Sequence, residues 1–178
     1  VEKTHYRTIV IDPPWPFRQK LQSLKTRGGV KYPTMDIEAI LALPVAEWTD
    51  KECQLWLWST NSHLHDAFHC LEQWQFRYIT TATWVKTSYG LGYWLRGQTE
   101  HVLLGVRGNP REFLKGPHGA AEHGYSTVIV APRTHHSEKP QAFYDMVEAL
   151  GSEPRLEVFA RKHRLGWDCI GDELGVKL

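Results

Sequence analysis

The chain has 178 residues, 42% of them hydrophobic and 23% charged, with Lys+Arg 21 against Asp+Glu 20 for a formal net charge of +1. This balance predicts one globular domain over residues 1–178 and excludes a disordered, collagen-like or coiled-coil chain. No apolar run reaches the roughly 20 residues that span a bilayer, so no membrane role is expected, and any surface for a polyanion must be local.

Arg7–Ile11 reads as a buried strand running into Asp12-Pro13-Pro14-Trp15, where two prolines end any ladder or helix. Residues 16–33 read as a loop. Thr34 is placed to cap a short helix reaching Leu43, with Asp36 and Glu38 in its first turn. Gln54–Trp58 reads as a second strand, and Ser62–Trp74 carries Leu64, Phe68 and Leu71 at helical spacing. Ile79–Val85 and Glu100–Val106 read as strands, the latter followed by a Gly108-Asn109-Pro110 turn. Thr127–Val130 is a short apolar run, Pro140 opens a helix to Leu150, and Leu156–Ala160 is the last strand. Strands separated by helices predict an α/β sheet with parallel pairs. Ligands of such sheets sit at the carboxyl ends of strands, where Asp12–Trp15 and Arg161 both fall.

Cys53, Cys70 and Cys169 are odd in number and far apart, which argues against a disulfide framework and predicts a reducing, cytoplasmic setting. His63, His65 and His69 have metal-like spacing but are read as a solvated helix face, with no metal.

The segment Asp12-Pro13-Pro14-Trp15 carries the most chemistry. A carboxylate and the Pro13 carbonyl form a rigid pair of acceptors, and proline has no N–H to satisfy them. The exocyclic NH₂ of a nucleobase offers two matching donors, and Trp15 is expected to supply a stacking face. The amine of adenine is a poor nucleophile because its lone pair is delocalised into the ring. Acceptors on its protons draw the nitrogen toward a tetrahedral shape and localise that pair. The following loop holds Arg18, Lys20, Lys25, Arg27 and Lys31 with no acidic residue, a local basic surface for a phosphate backbone. Arg107, Arg111 and Lys115 form a weaker second cluster.

Several further segments stand in a telling order: Lys31–Met35, Trp84-Val85-Lys86-Thr87, Gly92-Tyr93-Trp94-Leu95, Glu100-His101, Gly105–Pro110, Ser137-Glu138-Lys139-Pro140 and Phe159–His163. With the fork, they resemble the D-P-P-W adenine N6-methyltransferases related to the catalytic subunit of the eukaryotic messenger-RNA methyladenosine writer, the MT-A70 family. The likeness runs from Ile9 to Leu174.

The resemblance implies a Rossmann-like class I methyltransferase. Its sheet would be mostly parallel with helices on both faces, in a permuted order that sets the fork before the cofactor half. It implies S-adenosylmethionine as methyl donor and the N6 amine of adenine in nucleic acid as acceptor, in a single-stranded or flipped base. The compact chain resembles bacterial and phage members, which favours DNA over RNA and the cytoplasm of a bacterial or phage-infected cell. The alternatives are an RNA adenosine methyltransferase and a non-catalytic nucleic-acid-binding subunit, and a homo- or hetero-oligomer stays open.

By the same resemblance, Asp12, Pro13, Pro14 and Trp15 are catalytic, and Asp12 also touches the cofactor. Lys139 is expected to clamp the cofactor's methionine carboxylate, and Arg161 and His163 its ribose hydroxyls. Asp172 and Glu173 stand near a ribose-contacting pair where the family commonly has amides. Tyr32, Lys86, Tyr93, Trp94 and Glu100 are expected to line the acceptor pocket, with Arg18, Lys25 and Arg27 on the polymer.

Overall fold

The structure is a computed structural model, and it describes residues 5–16, 33–90, 94–109, 124–133 and 138–176. Arg18, Lys20, Lys25, Arg27, Lys31, Tyr32, Tyr93, Arg111 and Lys115 lie outside the described residues, as does the side chain of Glu173.

Among the described residues seven strands form one sheet. They are β1 (Tyr6–Ile11), β2 (Thr49–Ser59), β3 (Arg77–Lys86), β4 (Thr99–Arg107), β5 (Val128–Ala131), β6 (Arg155–Val158) and β7 (Asp168–Ile170), in the spatial order β5-β3-β4-β2-β1-β6-β7. The β1–β2, β1–β6, β3–β5 and β6–β7 ladders are parallel, whereas β4 runs antiparallel to β2 and β3. The sheet is therefore mixed and mostly parallel. The Lys86 N–H donates to the Gln98 carbonyl at 2.9 Å and the Gly90 N–H to Gly97 at 2.6 Å, so the chain returns from β3 to β4 as a hairpin.

Helices cover both faces. On one lie α1 (Ile37–Leu41), α2 (Val45–Trp48) and α3 (Leu64–Gln73), whose Ile40, Val45, Ala67 and Leu71 pack with Ile9, Ile11, Leu55, Leu57 and Leu103. On the other, α4 (Gln141–Leu150) packs Phe143, Met146 and Val147 on Val10, Trp56, Trp58 and Val102. Strand side chains alternate between faces, so adjacent residues such as Leu57 and Trp58 enter opposite cores. Burial on both faces is why Ile9–Ile11 of β1 and Leu55–Trp58 of β2 read as unbroken apolar runs. Gly105 lets α3 approach β4: a Cβ there would lie 3.0 Å from both Leu71 and Phe76. Among the described residues no helix is long and apolar enough to cross a membrane.

The topology places a crevice. The chain leaves β1 toward β2 on one side, and leaves β6 toward β7 on the other. Connections diverge at the carboxyl ends of these two neighbouring strands, which is where open α/β sheets bind ligands. Asp12 follows β1 there, and Phe159, Ala160 and Arg161 follow β6.

Candidate active site

The D-P-P-W turn is clamped from four directions. The Asp12 N–H extends the β1–β6 ladder to Val158 O at 3.4 Å. The Trp15 N–H donates to Pro13 O at 2.8 Å, and Met35 N–H to Pro14 O at 2.9 Å. His63 Nε2 donates to Pro16 O at 2.8 Å. The Pro13 carbonyl is thus not an unmet acceptor, contrary to the sequence-based expectation. The turn bends back on itself, and the N–H of Trp15 reaches the carbonyl two residues earlier.

Trp15 also departs from expectation. It is 8% exposed and belongs to the core beside α1 and α3. Its indole N–H donates to Trp58 O at 3.0 Å, and its ring stacks on His63 with centroids 5.3 Å apart and planes 9° apart. A large apolar ring with a satisfied N–H is more stable inside than presented to solvent. Trp15 therefore anchors the fork and offers no open face to an incoming base.

His63 is the residue that sequence reasoning misplaced. His65 and His69 lie on an exposed face, but His63 is 3% exposed. Its Nδ1 meets Asp66 Oδ2 at 2.8 Å while Nε2 holds Pro16. Among the described residues no group of His, Cys, Asp and Glu could hold a metal ion. The His63–Asp66 spacing of three along one helical turn was a usable signal.

At the crevice four charged side chains gather. Lys139 precedes Pro140, whose extended backbone (φ −64°, ψ 141°) caps α4 and aims the preceding residue at the sheet. Lys139 Nζ lies 2.7 Å from Asp12 Oδ2 and 3.2 Å from Glu100 Oε2, and 5.0 Å above the Trp58 ring. Glu100 Oε1 accepts from Lys86 Nζ, which also lies 4.9 Å above Trp84. The β3–β4 register sets Glu100 opposite Trp84 and so on the face that carries Lys86.

The electrostatics follow from this burial. Burial pushes the Asp12 carboxyl above the ordinary carboxylate range, against the pull of Lys139. Burial acts on Glu100 in the same direction, but Lys139 and Lys86 outweigh it and hold Glu100 below its usual range. Burial works against the charge of Lys139, yet the Asp12 and Glu100 carboxylates raise its pKa above that of an ordinary lysine. The ammonium stays charged in a nearly closed site.

A second polar group, unforeseen from sequence, lies beside the first. Tyr144 Oη donates to Glu157 Oε1 at 2.6 Å, and the Arg164 guanidinium stacks 3.4 Å from the Tyr144 ring centre. It ties α4 to β6 and so fixes Lys139 relative to the end of β6.

The structure thus brings together Asp12, Lys139, Glu100 and Lys86. Arg161, His163 and Asp172 follow β6 and β7 at the same end of the sheet, with exposed side chains, and the charge of Arg161 is felt at Asp12. Trp94 does not line a pocket among the described residues: it is 98% exposed on the β3–β4 hairpin. Arg107 lies over Phe76 and donates to Trp74 O and Gln75 Oε1, closing the end of α3 rather than standing free for a polymer.

The model of the MT-A70 family matches residues 6–173. The chain belongs to the MT-A70 family. Its members are N6-adenine methyltransferases that take their methyl group from S-adenosylmethionine. This MT-A70 chain is 29% identical to the type II methyltransferase M.MunI of a Mycoplasma species, over 95% of its own length and 78% of that protein's. It is 32% identical to a probable N(6)-adenosine-methyltransferase MT-A70-like protein of Oryza sativa, over 97% of its length. It is 29% identical to the human N(6)-adenosine-methyltransferase catalytic subunit METTL3, over 95%. The chain spans 24% and 28% of those two proteins, about a quarter of each.

The donor set at the crevice fits the family's cofactor. A buried ammonium suits a carboxylate, a carboxylate suits an amino group, and polar side chains after β6 and β7 suit hydroxyls. The backbone there is closely packed: a Cβ on Gly171 would lie 2.0 Å from Ala160 O. Phe159 adopts φ 64°, a left-handed conformation uncommon for an aromatic residue, at the turn that leaves β6.

Proposed function

We propose that this chain methylates the exocyclic N6 amine of adenine in nucleic acid, with DNA favoured over RNA and the base single-stranded or flipped. The observation that carries this reading is the Asp12–Lys139 pair, 2.7 Å apart, at the β1/β6 crevice. In the same reading the sheet is a Rossmann-like class I methyltransferase sheet in permuted order, the fork strand β1 preceding the cofactor half from Lys139 to Leu174.

S-adenosylmethionine supplies an electrophilic methyl group on a sulfonium sulfur. Lys139 holds its carboxylate and Asp12 its amino end, while Arg161, His163, Asp172 and Glu173 serve the ribose side. Asp12 also accepts a hydrogen bond from the adenine amine, which draws the nitrogen lone pair out of the ring and toward the methyl group. Transfer of the methyl carbon from sulfur to nitrogen would release the neutral thioether and one amine proton, and burial, which raises Asp12, suits its carboxylate to take that proton. Trp15, His63 and Met35 hold the fork still while this happens. Arg18, Lys25 and Arg27 attract the backbone, and Tyr32 and Tyr93 serve the acceptor base. The likeness to M.MunI, a DNA methyltransferase, supports the DNA reading.

The test is a competition in one vessel between single-stranded DNA, duplex DNA and RNA of the same sequence, with methyl-labelled cofactor. The reading expects label in adenine, fastest in single-stranded DNA. Label confined to RNA would reverse the polymer assignment.

A further inference from the structure

A buried row of charges runs from the end of β1 to the end of β3: Asp12, Lys139, Glu100, Lys86. It sums to zero. The Lys139 and Lys86 side chains are only 8% and 9% exposed, so each must find its compensation inside the protein. Glu100 is the member that touches both lysines, one with each carboxylate oxygen.

The order of the row bears on the proposed chemistry. Asp12 has to keep an oxygen for the amine, and Lys139 has to keep an N–H for the cofactor carboxylate. A buried lysine with Asp12 as its sole anionic partner closes onto that carboxylate and cancels it. Glu100 pulls on Lys139 from the other side, at 3.2 Å against 2.7 Å. Lys86 fixes Glu100 by its second oxygen and by its own seat over Trp84.

We propose that Glu100 is a positioning residue that divides Lys139 between two carboxylates, so that Asp12 Oδ1 and one Lys139 N–H remain for the ligands. The proposal rests on the adenine-methylating reading and replaces the expected contact of Glu100 with the base by an action through Lys139. It has an electrostatic signature. The groups that face Asp12 are Lys139 and Arg161 on the cationic side, with Glu100 from β4, Glu157 from β6 and Tyr144 from α4. The charge of Glu100 is one of the influences that raise Asp12. Neutralising it lets Asp12 ionise at lower pH and lets Lys139 close onto it, which lowers Asp12 further.

The experiment is single-turnover methylation of an adenine-containing single-stranded oligonucleotide across pH. It compares wild type, Glu100→Gln and the double variant Glu100→Gln/Lys86→Met. Glu100→Gln is expected to be slower by on the order of 100-fold, the loss typical of a misplaced charge-stabilising group. The acid limb of its rate profile is expected at lower pH than in wild type. The double variant is expected to be no faster than Glu100→Gln. An acid limb that stays in place, or a tenfold recovery in the double variant, would overturn the proposal, since Glu100 would then serve Lys86 alone. Should Glu100→Gln fail to fold, Glu100→Asp keeps the charge but is one methylene too short to span both lysines; a wild-type rate in that variant also overturns the proposal. A wild type that binds the cofactor yet methylates no adenine sinks the underlying reading, whereas a wild-type rate in Glu100→Gln sinks only the role of Glu100.

Discussion

Asp12 stands under two opposing demands: burial favours its neutral form, and acceptance of amine protons requires the ion. Lys139, at 2.7 Å, pulls toward the ion, but burial still holds the carboxyl above the ordinary carboxylate range. Asp12→Asn replaces an acceptor-only group with a mixed donor and acceptor. It is expected to cost about 3 kcal/mol or more at the transition state, with a much smaller change in cofactor affinity; single-turnover rates and calorimetry check both halves. Lys139→Met keeps a side chain over Trp58 but removes the ammonium. The dissociation constants of S-adenosylmethionine and S-adenosylhomocysteine should then rise together, since both ligands carry the same carboxylate, and unchanged affinity for both would return Lys139 to a structural role. The fork and its acidic residue were readable because two prolines and an aspartate at a strand end are locally distinctive. The inward turn of Trp15 was not, because an indole stacks as well on a buried histidine as on a base, and the histidine, 47 residues beyond Pro16, comes from a separate element. His63→Phe keeps the stack on Trp15 but loses the bond to Pro16. Turnover should fall while cofactor affinity stays near wild type, and equal turnover would show that the bond does not position the fork.

The elements with a strong local signal were legible in place, if not in extent. The strand read at Arg7–Ile11 is β1, that at Glu100–Val106 is the heart of β4, and Pro140 does begin α4. The strand read at Gln54–Trp58 is only the buried half of β2, because Thr49–Glu52 are polar yet continue the ladder. Direction was not legible. Nothing in a strand's composition tells β4 that it will run against its neighbours; the hairpin bonds at Lys86–Gln98 and Gly90–Gly97 decide it. β7 was missed because three residues, Asp168–Ile170, carry no periodicity. Its position still matters, since Gly171 at its end lies against the Ala160 backbone. A Cβ 2.0 Å from Ala160 O forces β6 and β7 apart. Gly171→Ala should lower stability by about 1–3 kcal/mol and weaken the cofactor more than an oligonucleotide. Thermal melts with and without the cofactor read this directly, and a fully retained cofactor affinity would remove the β6–β7 end from the site.

At the scale of the molecule, a net charge of +1 leaves no general attraction for a polyanion, and the basic segment over residues 18–31 is its proposed local source. Neutralising Lys25 and Arg27 together should make oligonucleotide affinity less steeply dependent on salt and leave cofactor affinity unchanged; equal slopes would exclude that segment from the polymer path. The proposed reaction makes one bond, between a methyl carbon and the N6 nitrogen of adenine. It is tested most directly by exhaustive methylation of a single-stranded DNA whose adenines carry ¹⁵N at N6, followed by digestion and mass spectrometry of the nucleosides. The account predicts N6-methyladenine with the added methyl group on the ¹⁵N. N1-methyladenine, N4-methylcytosine, or no methylated nucleoside from a protein that binds the cofactor, would contradict it.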